Sequence, residues 1–279
     1  MGESLNKTLT GVIGWPISHS LSPTIHTHWM QQNGISGSYS PLAVHPKKLS
    51  STISRLQDLG YVGINVTVPH KESILDVIDE CDDNALRLGA VNTLIIKDGI
   101  IIGKNTDGHG FLNNIKDTFP NYKLNSSKVT LLGAGGAARA ISYTLVDQGV
   151  SEIRIVNRSK SRAETFAATF GGCIRVFPWE ERAEVLEGTD ILINATTLGM
   201  DGKDALDLPL VNLPTDALII DIVYRPLMTP LLREAEARGN PFLDGLGMLI
   251  HQASKSFECW HDKKPAIDNR LRELVLREL

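Results

Sequence analysis

Short apolar runs alternate with segments of helical periodicity along most of the chain. Each run is four to six residues long, and the segments between the runs repeat their apolar positions every three or four residues. Repeated strand and helix units of this kind are typical of α/β proteins with a mainly parallel sheet. The pattern predicts four such strands in the second half of the chain, at 129–132, 153–156, 191–194 and 218–222.

The first hundred residues show the same alternation, with a hairpin at its end. Strands are predicted at 12–13 and 63–68, and Ser22-Pro23 predicts a helix start with Ser22 as the N-cap. Apolar runs at 94–97 and 100–102 flank Asp98-Gly99, a pair that favours a two-residue hairpin turn.

These elements predict two domains, the first of them discontinuous. Thr106-Asp107-Gly108 can cap a helix with an apolar face, so the first boundary is placed there. A long helix over 248–260 has an apolar stripe that can pack against the first region. The predicted division is therefore 1–106, 107–244 and 245–279, with the last segment belonging to the first domain.

Composition and charge narrow the class of protein. The 279 residues carry a net charge of −4, so no large basic field exists to hold a nucleic acid. No apolar stretch approaches the length of a membrane helix. Three widely spaced cysteines and an N-terminus without a signal-like segment favour a reducing, cytoplasmic location. No spacing of the histidines or cysteines predicts a metal site.

A glycine-rich turn follows the strand at 129–132. Gly133, Ala134, Gly135, Gly136 and Ala137 begin a G-x-G-x-x-A motif between a strand and a helix. In such a turn glycines let backbone N–H groups approach a pyrophosphate at the positive end of the helix dipole. A turn of this composition can also serve the backbone alone.

The end of the next strand bears on the choice of cofactor. An NAD site places an acidic residue there, on the ribose 2′-hydroxyl. This chain has Asn157, Arg158 and Ser159, followed by Arg162. Arginine and hydroxyl donors suit a 2′-phosphate, so the segment favours NADP, although both arginines could also be solvated charges at a helix start.

Several polar residues in the first region are candidates for substrate chemistry. Ser18, Ser20 and Ser22 crowd a helix start, where hydroxyls can hold a carboxylate, although an ordinary N-cap also explains Ser22. Lys71 follows a strand end and is a candidate proton donor, or a solvated surface lysine. Asp107 can be a helix cap or a catalytic carboxylate.

Nine motifs in a fixed order across nearly the whole chain resemble those of the shikimate dehydrogenase family. They are G-W-P-I-S-H-S-L-S-P at 14–23, N-V-T-V-P-H-K at 65–71, G-A-V-N-T-L at 89–94, N-T-D-G at 105–108, G-A-G-G-A-A-R at 133–139, N-R-S-K-S-R at 157–162, N-A-T at 194–196, D-I-V-Y-R-P at 221–226 and G-L-G-M-L-I-H-Q at 245–252. The family's commonest residue after Asn157-Arg158 is threonine, and Ser159 keeps the hydroxyl.

The resemblance implies a reversible, NADPH-dependent reduction of 3-dehydroshikimate to shikimate, a step of aromatic amino-acid and chorismate biosynthesis. It implies a substrate domain formed by 1–106 and 245–279 around a Rossmann-type NADP-binding domain at 107–244, with ligands in a cleft between lobes. A monomer or homodimer is expected, and the net charge and the short apolar runs predict no nucleic-acid or membrane partner.

The resemblance also implies roles for individual residues. Lys71 matches the family's catalytic lysine and Asp107 its partner. The substrate set implied is Ser20, Ser22 and Tyr224 around the carboxylate, and Thr67, Lys71, Asn92, Asp107 and Gln252 around the ring. The cofactor set implied is Asp83, Gly133, Ala134, Gly135, Gly136, Ala137, Asn157, Arg158, Ser159, Arg162, Ile222, Gly245 and Met248, and no metal is implied.

Three alternatives remain open at the level of sequence. The first is a quinate/shikimate dehydrogenase that uses NAD, which Arg158 in place of an acid disfavours. The second is a catalytically silent NADP-binding regulator on the same scaffold, which the presence of Lys71 and Asp107 disfavours. The third is a methyltransferase with the same turn. It is disfavoured because this chain lacks an acid at the end of the second strand of the unit.

Overall fold

The chain folds as an α/β protein in a computed structural model that describes residues 7–170 and 172–279. Over those residues the strands are β1 (Thr8–Gly14), β2 (Gly37–Ala43), β3 (Tyr61–Val66), β4 (Glu80–Cys81), β5 (Thr93–Lys97), β6 (Ile100–Lys104), β7 (Lys128–Leu132), β8 (Glu152–Asn157), β9 (Ile174–Pro178), β10 (Ile191–Asn194), β11 (Leu218–Asp221) and β12 (Phe242–Leu243). The α-helices of the same residues are α1 (Ser22–Gln32), α2 (Leu49–Asp58), α3 (Asp83–Leu88), α4 (Asp107–Thr118), α5 (Gly136–Asp147), α6 (Lys160–Ala167), α7 (Pro230–Arg238), α8 (Gly245–His261) and α9 (Asn269–Leu276).

The chain divides into two compact units. Unit 1 contains the residues up to Thr106 together with Ile250–Glu278, and unit 2 contains Asp107–Leu249. The division in the C-terminal part falls within α8, so the first turn of that helix groups with unit 2. No helix in the described part of the chain is both long and apolar enough to cross a membrane.

Unit 1 is built on a mixed sheet with the strand order β2-β1-β3-β5-β6-β4. Strand β1 runs parallel to β2 and β3, whereas β5 runs antiparallel to β3 and to β6. The ends of β1, β3 and β6 and the start of β5 therefore lie at one edge of this sheet. Loops at that edge carry most of the substrate residues predicted from the sequence.

The helices α1 and α8 pack together in unit 1 through aromatic rings. His26 and Trp29 of α1 are fully buried, and their rings lie 5.3 Å from Trp260 and 5.7 Å from Phe257, both in α8. The indole N–H of Trp260 donates to Leu94 O at 2.9 Å. The C-terminal part of the chain thus completes the core of unit 1.

Unit 2 is built on a six-stranded parallel sheet with the order β12-β11-β10-β7-β8-β9. Numbered from β7, this is the order 3-2-1-4-5-6 of the dinucleotide-binding Rossmann fold. Ligands of such sheets bind beyond the carboxyl ends of the strands, where the strand order reverses. In this sheet the reversal lies between β7 and β10, and the predicted Rossmann-type fold is confirmed.

The predicted hairpin is confirmed, and the N-cap prediction is wrong. Strands β5 and β6 pair across Asp98 and Gly99, both with positive φ. Ser22, predicted as an N-cap, is the first residue of α1; Leu21 is the N-cap and makes no side-chain cap bond. The backbone N–H of Ser22 instead approaches Ser20 Oγ at 3.3 Å, because the serine two residues earlier reaches the helix start.

Candidate active site

One edge of the unit 1 sheet gathers most of the predicted substrate residues. Ser20 and Ser22 follow β1, Thr67 and Lys71 follow β3, and Asn92 precedes β5. The strands bring these loops together because β1, β3 and β5 are neighbours in the sheet and Asn65 of β3 is paired with Thr93. Gln252 joins them from α8.

Asn92 and Gln252 are in direct contact. Asn92 is buried, and its Nδ2 lies 3.2 Å from Gln252 Oε1 and 3.0 Å from Thr106 Oγ1. Its Oδ1 accepts from the backbone N–H of Thr106 at 2.8 Å and from the Thr93 hydroxyl at 2.9 Å. A buried side-chain amide with this many partners has a single orientation.

Three buried polar residues behind Asn92 were missed from the sequence. Ser256 Oγ lies 2.9 Å from Asn65 Nδ2 and 2.7 Å from Thr93 Oγ1. Asn65 and Thr93 stand within motifs that the sequence highlights, but their burial appears only when the sheet and α8 are assembled. Ser256 has no sequence signal beyond its place one turn after Gln252.

Ser22 connects to the same group through Tyr39. The Tyr39 hydroxyl donates to Asn65 Oδ1 at 2.8 Å, and Tyr39 and Ser22 are also hydrogen bonded. Burial raises the pKa of the Tyr39 phenol, and the bond with Ser22 partly opposes that shift. Tyr39 therefore acts as a neutral phenol that holds Ser22 and Asn65.

The segment after β3 is held by its backbone. The N–H of Thr67 donates to Ile13 O at 3.0 Å, and the N–H of Val91 donates to Lys71 O at 2.8 Å. Between them His70 is fully buried, with Nε2 2.7 Å from Val44 O. These bonds hold the backbone of Lys71 beside the residue that precedes Asn92, while its side chain is half-buried.

The two remaining residues of the predicted substrate set belong to unit 2. Asp107 is the first residue of α4, is buried, and follows Thr106 directly in the chain. Tyr224 lies beyond the end of β11, and burial raises the pKa of its phenol, while the charge of Arg225 opposes the shift. The structure thus distributes the predicted substrate set over both units, with six residues in unit 1.

The glycine-rich turn of unit 2 has the features of a pyrophosphate site. Gly133 has a φ of +107°, and a side chain there would meet Ala195 O at 3.0 Å. Gly135 is the N-cap of α5 without a side-chain cap bond, and the space where its Cβ would lie is open. The first N–H groups of α5 are therefore able to receive an anion, so Gly135, Gly136 and Ala137 fit a phosphate group.

The arginine segment lies beside this turn. Arg162 Nε donates to Ala134 O at 3.1 Å, which ties the start of α6 to the glycine-rich turn. Asn157 Nδ2 donates to Ser159 O at 2.8 Å, whereas Arg158 and the Ser159 side chain are exposed. The donors suited to a 2′-phosphate thus stand at the carboxyl end of β8, one strand away from β7.

The backbone near Ile222, Gly245 and Met248 meets at the carboxyl ends of β11 and β12. A side chain at Gly245 would lie 2.2 Å from Ile222 O, so only glycine permits this approach. Met248 is buried one turn further along α8. Ile222 N donates to Asn194 O at 3.1 Å, which links this region to the end of β10.

A buried carboxylate, also missed from the sequence, organises the end of β10. Asp221 Oδ1 accepts from Asn194 Nδ2 at 3.0 Å, and Oδ2 accepts from Thr229 Oγ1 at 2.8 Å. Burial raises the pKa of the Asp221 carboxyl to about 6, although these bonds and one from Val223 N lower it. Asn194 in turn accepts from both donors of Thr196, beside Gly133.

Asp83 is the one member of the predicted cofactor set that belongs to unit 1. It is an exposed first-turn residue of α3 in unit 1, and its neighbour Asp82 caps that helix. Within residues 7–170 and 172–279, no three histidine, cysteine or acidic side chains are grouped in a way that could hold a metal ion.

Two family models match the chain, one in each unit. Residues 12–94 match the shikimate dehydrogenase substrate-binding domain, and residues 114–201 match the shikimate/quinate 5-dehydrogenase domain. Among curated relatives, the NADP(+) shikimate dehydrogenase of Paramagnetospirillum magneticum is 51% identical over 96% of this chain and 98% of its own length.

Solved structures show the same likeness. Shikimate 5-dehydrogenase from Thermus thermophilus, in complex with NADP(H) and shikimate, has a TM-score of 0.87 and 34% identity over 98% of this chain and all of that one. Quinate dehydrogenase from Corynebacterium glutamicum, in complex with NAD, has a TM-score of 0.89 and 31% identity over 97% of this chain and 99% of that one. The chain belongs to the shikimate dehydrogenase family of oxidoreductases.

Proposed function

We propose that this protein catalyses the reversible reduction of 3-dehydroshikimate to shikimate with NADPH, in aromatic amino-acid and chorismate biosynthesis. The observation that carries the proposal is the 51% identity, over nearly the full length of both chains, to a relative named as an NADP(+) shikimate dehydrogenase. Residues up to 106 and the C-terminal helices are the substrate domain, and the middle of the chain is the NADP domain. Their ligands are small molecules.

NADP is the cofactor of this proposal. The turn at 133–137 receives the pyrophosphate, while Asn157, Arg158, Ser159 and Arg162 receive the adenosine ribose and its 2′-phosphate. The absence of an acid at this strand end supports NADP over NAD, because a carboxylate there would repel the phosphate. When bound, NADPH supplies the hydride. The backbone at Ile222, Gly245 and Met248 borders the nicotinamide end, and Asp83 of unit 1 also belongs to the proposed set.

Hydroxyl and amide groups of the protein bind the substrate. Ser20, Ser22 and Tyr224 hold its carboxylate, and Thr67, Asn92 and Gln252 bind the ring hydroxyls. The contact between Asn92 and Gln252 supports this arrangement, since two oriented amides offer donors and an acceptor at fixed positions. Binding several hydroxyls at once holds the reacting carbon in one place for hydride transfer.

Lys71 and Asp107 are the proton-transfer pair of the proposal. During reduction, Lys71 Nζ donates a proton to the ketone oxygen as the hydride reaches the ketone carbon, and the product is an alcohol. During oxidation the same amine accepts the hydroxyl proton. The Asp107 carboxylate orients the amine. A positioned proton donor of this kind accelerates such a step by about 10²- to 10⁴-fold.

An assay with two acids and two cofactors tests the function. Shikimate or quinate is mixed with NADP⁺ or NAD⁺, and formation of the reduced nicotinamide is followed by its absorbance. We expect the highest kcat/KM for shikimate with NADP⁺. Absence of turnover with all four pairs would overturn the proposal in favour of a silent NADP-binding regulator.

The rival activity is an NAD-dependent quinate/shikimate dehydrogenase. The likeness to a quinate dehydrogenase solved with NAD keeps this rival in view. A higher kcat/KM for quinate with NAD⁺ in the same assay would favour it. Membership of the family leaves the methyltransferase alternative without support.

A further inference from the structure

Ser256 occupies a central place in the buried polar group behind Asn92. It is a residue of α8 in unit 1, one turn beyond Gln252, and its side chain is fully buried. Its hydroxyl lies 2.7 Å from Thr93 Oγ1, 2.9 Å from Asn65 Nδ2 and 3.2 Å from Gln252 O. The serine side chain carries no charge, so it acts on its neighbours through the hydrogen bonds of its hydroxyl.

The acceptors in this group settle the direction of the bonds. Asn92 Oδ1 takes the backbone N–H of Thr106 and carries no hydrogen, so Thr93 Oγ1 at 2.9 Å must be the donor to it. The single hydrogen of Thr93 is then in use. The single Ser256 hydrogen therefore goes to Thr93 at 2.7 Å and not to the more distant Gln252 O at 3.2 Å.

Asn65 donates a hydrogen bond to Ser256 and so begins a series of hydrogen bonds that leads through Thr93 to Asn92. Its Nδ2 lies 3.2 Å from Asn92 O, a carbonyl that can only accept, so Nδ2 and not Oδ1 faces Ser256. The Tyr39 hydroxyl donates to Asn65 Oδ1 at 2.8 Å, which agrees with this orientation. The hydrogen bonds thus run in one direction, from Asn65 to Ser256, then to Thr93 and to Asn92.

The orientation of the Asn92 amide determines the orientation of the Gln252 amide. With Oδ1 held by Thr93 and Thr106, Nδ2 must face Gln252 Oε1 at 3.2 Å. Gln252 then turns the Nε2 side of its amide away from Asn92. Reversal of either amide would place two donors or two acceptors against each other in a buried site, at a cost of about 1–3 kcal/mol for each unsatisfied group.

We propose that Ser256 is a positioning residue that acts through Thr93 to fix the amide orientations of Asn92 and Gln252, and thereby the polarity that the site presents to a substrate hydroxyl. The inference rests on the proposed function, because it takes those two amides to be substrate contacts. Ser256 itself touches no substrate.

Two variants each interrupt the series of hydrogen bonds from Asn65 to Asn92. Ser256→Ala removes the donor to Thr93 and the acceptor of Asn65. Thr93→Val is close in volume and removes the donor to Asn92. We expect each to raise the KM for shikimate about tenfold, the size of effect that follows from loss of one buried hydrogen bond, with the KM for NADP⁺ within about twofold of the wild type.

Matched variants separate positioning from general loss of structure. Ser254 is buried in the same helix, and Ser254→Ala should leave both KM values unchanged. Thr93→Ser keeps the hydroxyl, so its KM for shikimate should lie much closer to the wild-type value than that of Thr93→Val. The two hydrogen bonds act in series on Asn92. The double variant Ser256→Ala/Thr93→Val should therefore raise the KM for shikimate little more than either single change.

The outcomes distinguish this inference from the proposed function. Wild-type turnover of shikimate with unchanged KM in Ser256→Ala and Thr93→Val overturns the positioning role and leaves the function standing. Equal increases in both KM values, without rescue by Thr93→Ser, also overturn it, since they indicate general damage. An inactive wild-type protein that binds no shikimate by calorimetry overturns both.

Discussion

At the scale of single residues, the proposal assigns the choice of cofactor to Arg158, which stands where an NAD site has an acid. Arg158 is exposed at the end of β8, and its neighbour Arg162 contacts the glycine-rich turn. A guanidinium forms charge-assisted hydrogen bonds with a phosphate, and each contributes about 1.5–3 kcal/mol. NADH lacks the 2′-phosphate and cannot make these bonds.

Arg158→Ala should therefore raise the KM for NADPH by about tenfold or more and change the KM for NADH little. Steady-state kinetics with each cofactor measure the two values. Arg175→Ala is a matched control, because Arg175 is an exposed arginine of the adjacent strand that pairs with Glu152. Equal effects of Arg158→Ala on both cofactors would remove this residue from the 2′-phosphate.

His26 is a second residue with a measurable consequence. It is fully buried and stacked on Tyr39 at 4.3 Å. Burial, helped by the charge of His261, lowers its pKa from 6.5 to about 3. The unfolded chain takes up a proton near pH 6.5 and the folded chain does not, so the free energy of unfolding falls as the pH drops below that value.

His26→Phe should lose this part of the acid sensitivity. Near pH 5, the wild type should have lost roughly 2 kcal/mol of stability through His26, a loss that the variant does not suffer. Urea unfolding between about pH 7 and pH 5 measures the difference. His19→Gln, at an exposed position, should keep the wild-type pH dependence. The same slope in His26→Phe would contradict the assignment.

At the scale of elements, local signals predicted the strands and helices well where the partner is near in the chain. Asp98-Gly99 predicts the hairpin because two positive φ values are needed at that turn. The start of α7 is held by a second local contact, in which Thr229 Oγ1 accepts from the backbone N–H of Leu232.

Element ends depend on distant partners and were predicted less well. The strand predicted at 63–68 ends at Val66, because its antiparallel partner begins at Thr93, opposite Asn65. Val68 is then 62% exposed. Helix α8 begins at Gly245, three residues before the predicted start, because its glycines pack closely against Ile222 and Asn114, a contact that no local pattern reveals.

The packing of α8 on β3 gives a prediction at this scale. A Cβ at Gly63 would lie 2.3 Å from the Trp260 indole, so Gly63→Ala should force the ring to move. We expect a loss of about 1–3 kcal/mol in the free energy of unfolding, measured with urea.

A double variant provides the control for Gly63→Ala. In a Trp260→Leu background the alanine has more room, so Gly63→Ala should cost much less there. An equal cost in both backgrounds would show that the indole is not the cause.

At the scale of the whole molecule, unit 1 is assembled from both ends of the chain. Trp29 Nε1 donates to Ala266 O at 2.7 Å across 237 positions, and Asn65 contacts Ser256 across 191. Sequence motifs identify Asn92 and Gln252 as candidates, whereas the hydrogen bond between them and the buried contact between Thr93 and Ser256 appear only in the assembled unit. The family resemblance supplied the residue roles that spacing alone left open.

The central proposal is that Lys71, oriented by the Asp107 carboxylate, donates the proton during reduction and accepts it during oxidation. The kcat of Lys71→Ala with shikimate and NADP⁺ tests it most directly. We predict a fall of about two to four orders of magnitude with little change in the KM for shikimate, while the exposed-site control Lys97→Ala keeps the wild-type kcat. Turnover of Lys71→Ala at the wild-type rate would contradict the account.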